Sequence, residues 1–303
     1  MLRASIDLGT NTCLLLIAVW DPLLRQPQRV MVDRVSYVRL GQKVDQTHEL
    51  QPEAMERTLS CLSEYADQVR AAGIDPRSVT AVATSQARDA RNGAEFFLQI
   101  ERKTGFQFRT LSGDDEAQYT FLGGLLPGQD AEMCAVIDIG GGSTELMSTR
   151  GGKSLDLGSV RFTERFFLND PVSDEEFWRC QQAIDLALEG MNSWRISLPE
   201  GAELVGVAGT VTSIAAWSLG MKAFDSSRID GCELTRGDIH RFVEELKWRT
   251  IAERRELAGV EAQRADVLLA GSMILWRTME LLSFSSVKVS TRGLRYGVLG
   301  ISP

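Results

Sequence analysis

Apolar residues alternate with short polar turns along the chain, and one such arrangement occurs twice. Residues 6–19 hold two apolar runs around the polar turn at residues 9–12, which predicts a strand, a tight turn and a second strand. The arrangement returns 131 positions later, around a turn of three glycines. Such a spacing is too long for a solenoid and predicts two similar domains, each opening with a hairpin. Turn chemistry shared by chance is the alternative, because Asp and Gly are common in turns.

Helical and strand patterns alternate in the rest of the chain. The predicted helices cover residues 52–73, 96–102 and 174–192, and the predicted strands cover residues 79–83, 203–207 and 287–289. A polar turn at residues 84–88 is expected after the first of these strands, and a helix is expected to open at Gly209. Capping boxes are expected at Thr235 and Thr250. This alternation predicts mixed sheets covered by helices.

Composition narrows the class of protein. A length of 303 residues suits about two domains, and the net charge of −8 disfavours non-specific binding to nucleic acid. The apolar stretches are shorter than the ~20 residues of a membrane-spanning helix, and the first residues lack the pattern of a secretory signal. Five scattered cysteines suit a reducing compartment, and His48 and His240 lie far from any cysteine pair, which excludes the common zinc patterns. A cytoplasmic protein that does not bind membranes is therefore expected.

The triple-glycine turn carries the clearest chemistry. Three glycines leave no Cβ between an anion and the backbone amides, and the hydroxyl of Ser143 adds a donor, which predicts phosphate binding. Asp138 and Glu145 flank the turn, and Asp138 can hold a divalent cation directly or through water. The alternatives are a loose turn without a ligand and an Asp138 side chain that bonds to its own turn.

Three acids follow Ser112, which has the position of a helix N-cap. Acids in a first helical turn are expected because they complement the helix dipole, and this accounts for Asp114 and Asp115. Glu116 precedes the small Ala117 and lies between the two hairpins in sequence, so it is a candidate for a cleft residue. An ordinary helix-start acid is the alternative for Glu116.

Arginines and small residues supply further candidates for anion binding. The Arg88 guanidinium could bind phosphate oxygens, or it could pair with Asp89. Gly209 and Thr210 permit close approach of a ligand, or of another helix. Candidate docking charges for a long anion, or else ordinary surface arginines, are Arg161, Arg165, Arg292 and Arg295.

As a set, these motifs resemble the exopolyphosphatase and guanosine pentaphosphate phosphohydrolase family of the actin, Hsp70 and sugar-kinase fold group. The matching stretches run in order along nearly the whole chain: residues 5–12 (SIDLGTNT), 83–90 (ATSQARDA), 111–117 (LSGDDEA), 136–146 (VIDIGGGSTEL), 154–161 (SLDLGSVR), 206–210 (GVAGT), 264–266 (RAD) and 292–297 (RGLRYG). The resemblance implies an α/β protein of two ribonuclease-H-like, actin-like ATPase domains, with mixed sheets flanked by helices and a cleft between them. We expect residues 1–120 to form the first domain, with a C-terminal helix at residues 292–303 packed on it, and residues 121–291 to form the second.

The resemblance also assigns roles to residues. Glu116 matches the catalytic glutamate that positions or deprotonates water, and Asp138 and Glu145 match catalytic acids at the metal and water site. Leu14 stands where some relatives have an arginine, so one phosphate contact is expected to be missing. The expected phosphate-binding residues are Thr10, Asn11, Thr12, Arg88, Gly140, Gly141, Gly142, Ser143, Gly209 and Thr210.

The resulting hypothesis is an exopolyphosphatase that uses Mg²⁺, or another divalent cation, to release orthophosphate from the ends of inorganic polyphosphate. Guanosine pentaphosphate is the alternative substrate. A non-catalytic sensor of phosphorylated nucleotides and an ATP-dependent kinase of the same fold group are the alternatives of other classes. No nucleic acid or membrane partner is expected, and analogy with relatives suggests a homodimer.

Overall fold

The structure is a computed structural model, and it describes residues 1–24 and 26–301. Its contacts divide the chain into two compact units. Unit 1 comprises Met1–Gly123 together with the C-terminal segment from Leu294 onward, and unit 2 comprises Gly124–Gly293. The domain boundaries predicted from the sequence lay after residues 120 and 291.

Unit 1 contains a five-stranded mixed sheet in the order β3-β2-β1-β4-β5. Its strands are β1 (Leu2–Leu8), β2 (Thr12–Asp21), β3 (Gln26–Tyr37), β4 (Thr80–Ala83) and β5 (Phe108–Thr110). The first three form an antiparallel meander, whereas β4 and β5 run parallel to β1. The predicted first hairpin is confirmed, and its register places Leu14 directly across from Asp7.

Unit 2 contains a six-stranded sheet in the order β10-β11-β9-β6-β7-β8. Its strands are β6 (Cys134–Ile139), β7 (Thr144–Ser148), β8 (Gly151–Leu155), β9 (Glu203–Val207), β10 (Glu233–Thr235) and β11 (Ser286–Val289). Strands β6, β7 and β8 form an antiparallel meander, and β9 and β11 run parallel to β6. Unit 2 therefore repeats the strand order and directions of unit 1 and adds β10 at one edge, which accounts for the repeat in the sequence.

Both units also contain helices, most of which lie between strands of the same sheet. In unit 1 they are α1 (Val44–Thr47), α2 (Pro52–Ala71), α3 (Ser85–Asp89), α4 (Gly93–Thr104), α5 (Gly113–Gly124, which reaches the boundary) and α14 (Leu294–Val298). In unit 2 they are α6 (Ser159–Phe166), α7 (Asp174–Leu188), α8 (Asn192–Ser197), α9 (Ala208–Ser218), α10 (Ser226–Ile229), α11 (Arg236–Lys247), α12 (Ile251–Arg255) and α13 (Leu268–Leu281). Among these described helices, none combines the length with the hydropathy that crossing a bilayer demands.

Most of the predicted helices are confirmed, but the end of one helix and the nature of one polar turn are corrected. Both capping boxes form, at Thr235 and at Thr250. The helix predicted at residues 174–192 ends at Leu188, and a short 3₁₀ segment links it to α8. Gly190 lies in this segment, and glycine disfavours a continuous helix. The expected polar turn at residues 84–88 is largely helical, since Ser85–Asp89 forms a single short helix.

Each unit has its own hydrophobic core. In unit 1, the predicted apolar face of α2 packs against the sheet, where Leu62 and Val69 are fully buried. In unit 2, α13 is apolar on nearly all sides and is buried beside the sheet, as expected for a central helix. These cores hold the strand ends in fixed positions.

The C-terminal segment completes unit 1. The Ser5 hydroxyl of β1 donates to the Arg295 carbonyl oxygen at 2.6 Å, and the Arg295 guanidinium pairs with Asp33 through two hydrogen bonds of 2.8 and 2.9 Å. The Arg295 side chain is 9% exposed, so it does not fit the predicted role of a docking charge on the surface. The predicted helix at residues 292–303 is confined to Leu294–Val298, and residues 302 and 303 lie outside the described part of the chain.

Candidate functional site

The turn between β1 and β2 carries the predicted phosphate-binding residues of unit 1. The amide of Gly9 donates to the Thr12 carbonyl oxygen at 2.8 Å, which closes the turn. The Thr10 hydroxyl donates to the Gln86 side chain at 3.3 Å and shares a hydrogen bond of 3.0 Å with the Ser85 hydroxyl. These bonds tie the turn to α3.

Asn11 occupies the tip of this turn and is 6% exposed. Its side-chain nitrogen has no hydrogen-bond partner within residues 1–24 and 26–301. Buried amide donors are normally satisfied, and an unsatisfied one costs about 1–3 kcal/mol. A ligand that accepts a hydrogen bond here would remove this cost, which makes Asn11 a strong candidate for anion binding.

Glu116 and Arg88 form an ion pair in unit 1. A nitrogen of the Arg88 guanidinium lies 2.8 Å from a Glu116 carboxylate oxygen and also donates to the Leu111 carbonyl oxygen at 2.8 Å. The Glu116 side chain is 8% exposed and that of Arg88 is 26% exposed. Burial raises the pKa of the Glu116 carboxyl above its usual value, although the Arg88 guanidinium acts in the opposite direction.

This geometry discriminates between the alternatives for the acids after Ser112. The Ser112 hydroxyl accepts from the Asp115 amide at 3.1 Å, so it caps α5 as predicted. Asp114 and Asp115 are exposed, as ordinary helix-start acids are, whereas Glu116 is buried. A buried carboxylate with an arginine partner and a raised pKa is typical of a functional acid.

The turn between β6 and β7 is the equivalent turn of unit 2. The Gly140 amide donates to the Ser143 carbonyl oxygen at 3.0 Å, matching the bond that closes the turn of unit 1. Asp138 and Glu145 are direct partners in the β6–β7 register, which places their side chains on the same face of the sheet. The Ser154 hydroxyl on β8 donates to Glu145 at 2.7 Å.

Asp138 and Glu145, which lie directly opposite each other, can together bind a cation. Like charges at paired positions repel, and a bound divalent ion would offset this repulsion. The described residues contain no cluster of three or more His, Cys, Asp or Glu side chains suited to a metal. Two carboxylates nevertheless fit Mg²⁺, which commonly uses one or two carboxylates and completes its shell with water and substrate phosphate.

Gly209 and Thr210 lie in the first turn of α9, next to the β6 end that carries Asp138, because Asp138 pairs with Val207. A Cβ on Gly209 would lie 1.8 Å from the Arg264 guanidinium, so glycine lets this arginine pack on the helix start. A Cβ on Gly271 would lie 2.4 Å from the Thr210 hydroxyl. The small residues therefore permit close packing, and their predicted phosphate contacts stay a prediction.

Each unit thus collects its own predicted residues at one edge of its sheet. Unit 1 brings Thr10, Asn11 and Thr12 together on one turn and pairs Arg88 with Glu116, and unit 2 groups the acids with the triple-glycine turn. Three parallel strands of each unit end at these edges, which is where ligands bind in open α/β sheets. Sequence reasoning missed the contact of Ser154 with Glu145, because it depends on the β7–β8 register and β8 was not predicted.

Comparison with known proteins gives a consistent result. Residues 24–301 match the model of the Ppx/GppA phosphatase family. The chain is 32% identical over 306 residues to the bifunctional 3-dehydroquinate synthase/phosphatase of Fusobacterium nucleatum, covering 95% of this chain and 45% of that protein. It is also 32% identical to exopolyphosphatase 2 of Mycobacterium tuberculosis over 283 residues, covering 90% of this chain and 88% of that protein.

The structure agrees with these similarities. The crystal structure of the Aquifex aeolicus member of the Ppx/GppA protein family superposes with a TM-score of 0.77 at 30% sequence identity, covering 99% of this chain and 96% of that one. The chain spans about half the length of the Fusobacterium protein, and most of the length of the other two. The predicted fold class of two actin-like domains with helix-flanked mixed sheets is confirmed.

Proposed function

Because this chain belongs to the Ppx/GppA phosphatase family, we propose that it is an exopolyphosphatase, which hydrolyses the terminal phosphoanhydride bond of inorganic polyphosphate. In this reaction a water oxygen attacks the terminal phosphorus, and the bond from that phosphorus to the bridging oxygen breaks. Orthophosphate leaves, and the bridging oxygen stays with the shortened chain. The similarity to exopolyphosphatase 2 of Mycobacterium tuberculosis supports this substrate.

The observation that carries the proposal is the buried Glu116 carboxylate beside Arg88. Hydrolysis requires an acceptor for a water proton, and a carboxyl whose pKa is raised by burial is a better acceptor than an ordinary surface acid. We assign Glu116 the role of orienting the water and taking its proton. Arg88 limits the rise of the Glu116 pKa and offers its remaining donors to phosphate oxygens.

Besides a proton acceptor, phosphoryl transfer requires groups that position the substrate and neutralise the negative charge of its phosphate oxygens. In unit 1, the Asn11 side-chain amide, which has no partner within the described residues, would donate to a phosphate oxygen. In unit 2, the glycine amides and the Ser143 hydroxyl would offer donors of the same kind. Asp138 and Glu145 would hold Mg²⁺. When bound, this cation would neutralise charge on the phosphate oxygens.

One comparative assay tests the substrate. Orthophosphate release would be measured with short polyphosphate, long polyphosphate and guanosine pentaphosphate, each with Mg²⁺ and with excess chelator. We expect Mg²⁺-dependent release from polyphosphate, and a loss of about 10²- to 10⁴-fold in Glu116→Gln, because that variant keeps the shape and loses the proton acceptor. Equal rates in wild type and Glu116→Gln would remove Glu116 from the mechanism.

The other outcomes separate the rival functions. Preferential hydrolysis of guanosine pentaphosphate would replace the substrate and leave the chemistry intact. Binding of guanosine pentaphosphate without turnover of any of the three compounds would identify a sensor. ADP formation from ATP that depends on an added acceptor would identify a kinase. The homodimer and the cytoplasmic location stay predictions, and light scattering of the purified chain would check the dimer.

A further inference from the structure

The triple-glycine turn of unit 2 is held from one side by the chain that follows β8. The amide of Ser159 donates to the Gly140 carbonyl oxygen at 3.0 Å. The amides of Val160 and Arg161 both donate to the Gly141 carbonyl oxygen, at 2.9 and 3.0 Å. These three donors belong to the first turn of α6, where amides have no partner within the helix. The helix start therefore satisfies its own donors on the carbonyls of the turn.

Two side-chain features complete this arrangement. The Arg161 Nε atom donates to the Gly142 carbonyl oxygen at 2.8 Å. A Cβ on Gly158 would lie 2.2 Å from the Gly141 carbonyl oxygen and 2.4 Å from the Gly142 carbonyl carbon, a distance that real Cβ atoms do not adopt. Only glycine at this position allows the two backbone segments to approach. We call residues 158–161 the turn clamp.

Peptide geometry gives the turn clamp a consequence on the opposite side of the turn. In a trans peptide the carbonyl and the following N–H point in opposite directions across one rigid plane. The turn clamp fixes the carbonyls of Gly140, Gly141 and Gly142, so it also fixes the direction of the next three amides, those of Gly141, Gly142 and Ser143. Consecutive amides held on one side of a turn form an anion-binding concavity.

Unit 1 contains an equivalent device built from different residues. The amides of Val38 and Arg39 donate to the Asn11 carbonyl oxygen at 3.1 and 2.9 Å, and the Gly41 amide donates to the Thr10 carbonyl oxygen at 2.9 Å. A Cβ on Gly41 would lie 2.3 Å from Cγ2 of Thr10. In both units the segment after the third strand of the meander holds the carbonyls of the first turn. The same backbone support of the first turn therefore occurs in both units, with different residues.

We propose that the turn clamp is a positioning element, in which Gly158 and Arg161 aim the amides of the triple-glycine turn at a phosphoryl group. The inference deepens the proposed function and rests on it. It also gives Arg161, predicted as a docking charge, a different task. Donors fixed before the substrate arrives need no reorganisation during the reaction, and a displacement of about 1 Å costs on the order of 10²-fold in rate.

Gly158→Ala tests the close approach, with Gly237→Ala as the matched control. Gly237 lies exposed in α11 with its nearest outside atom 3.8 Å from an added Cβ, so alanine fits there. Binding of orthophosphate, the proposed product, would be measured by calorimetry, and exchange of the amides at residues 159–161 by mass spectrometry. We expect Gly158→Ala to weaken orthophosphate binding about tenfold and to speed exchange, while Gly237→Ala changes neither. Unchanged binding in a folded Gly158→Ala would overturn the proposal.

Substitution of Arg161 supplies a second test, which is decisive even when the Gly158→Ala protein does not fold. Arg161→Lys keeps the positive charge but has a methylene where Nε stood, and Arg161→Met removes both the charge and the donor. If the bond from Nε to Gly142 matters, both variants raise the KM for polyphosphate and weaken orthophosphate binding by similar factors, about 5- to 10-fold. Wild-type behaviour of Arg161→Lys would show that only charge counts and would refute the role of Nε.

The outcomes distinguish this inference from the proposed function. Wild-type protein that binds orthophosphate without hydrolysing polyphosphate would remove the exopolyphosphatase proposal, and the turn clamp would still be judged by the binding and exchange measurements. Wild-type protein that binds no orthophosphate would remove the turn clamp, because the turn would then hold no anion.

Discussion

The ion pair between Arg88 and Glu116 predicts an effect on stability that depends on pH. In Arg88→Met, the Glu116 carboxylate stays buried without a cation. Two unit charges about 4 Å apart interact by about 4 kcal/mol at an effective dielectric constant near 20, and removing one partner of a buried pair costs about 3–5 kcal/mol. Because the Arg88 side chain is 26% exposed, we expect the low end of that range, about 3 kcal/mol at pH 8.

The sign of the pH dependence follows from burial. Without Arg88, only burial acts on the Glu116 carboxyl, so its pKa rises further above the usual 4.5. A carboxyl pKa that is higher in the folded state than in the unfolded state makes stability fall as pH rises through the folded value. The cost of Arg88→Met should therefore be small near pH 4.5 and largest at pH 8. The acid limb of the pH–rate profile should move to higher pH, since the proposed proton acceptor must be ionised.

Urea unfolding between pH 4.5 and pH 8 would measure this effect in four proteins: wild type, Arg88→Met, Arg88→Lys and the double variant Arg88→Met/Glu116→Gln. Arg88→Lys keeps a charge and should keep most of the stability. The double variant should regain most of the loss, because a neutral amide is cheaper to bury than a lone carboxylate, but about 1 kcal/mol should stay lost with the bond to Leu111. Wild-type stability of Arg88→Met at pH 8, or strict additivity in the double variant, would show that Arg88 does not offset the buried charge of Glu116.

Three further predictions follow from single contacts. Asn11→Ala should raise the KM for polyphosphate about tenfold with little loss of stability, because the buried Asn11 amide has no partner within the described residues; an unchanged KM would mean that no ligand meets it. Ser154→Ala should lower turnover about tenfold and raise the Mg²⁺ concentration needed for half-maximal rate, because Glu145 loses the hydroxyl that donates to it. Ser154→Thr keeps a hydroxyl and should have wild-type turnover and Mg²⁺ dependence; a threonine variant as impaired as alanine would contradict a positioning role. Arg295→Met should lower the free energy of unfolding by about 2–3 kcal/mol, because Asp33 loses its bidentate partner but keeps the hydrogen bond of 2.9 Å from the Tyr296 hydroxyl; urea unfolding without such a loss would show that the pair contributes little.

The core of the fold could be predicted from the sequence because its strands are buried and regular. Strand β9 is predicted at the observed residues, since an apolar run in a parallel sheet is buried on both faces. The third strand of each meander was missed for the opposite reason. Most residues of β3 are exposed, so no alternation marks it, and β8 begins with two glycines, which are rare in strands.

The candidate site could be predicted where its functional residues lie close together in the sequence. Glycines with neighbouring acids mark the turn at residues 140–143, but its supports come from a segment some 18 residues later and act mostly through the backbone. Backbone hydrogen bonds leave no signature in side-chain type, and the residue types of Gly158 and Arg161 do not show that they contact the turn, so the turn clamp was not predicted. Burial and the ion pair with Arg88 distinguish Glu116 from Asp115, and both depend on the tertiary structure.

Because unit 1 is built from two separate stretches of chain, its folding depends on the order in which the chain is synthesised. A ribosome makes Met1–Gly123 first, then all of unit 2, and only afterwards the residues from Leu294 onward, which contribute Arg295 to the pair with Asp33. Unit 2 is continuous and can fold as soon as it has emerged, in keeping with the folding of domains during translation. Unit 1 lacks α14 until all of unit 2 has been translated, so the unit that carries Glu116 can be completed only after unit 2.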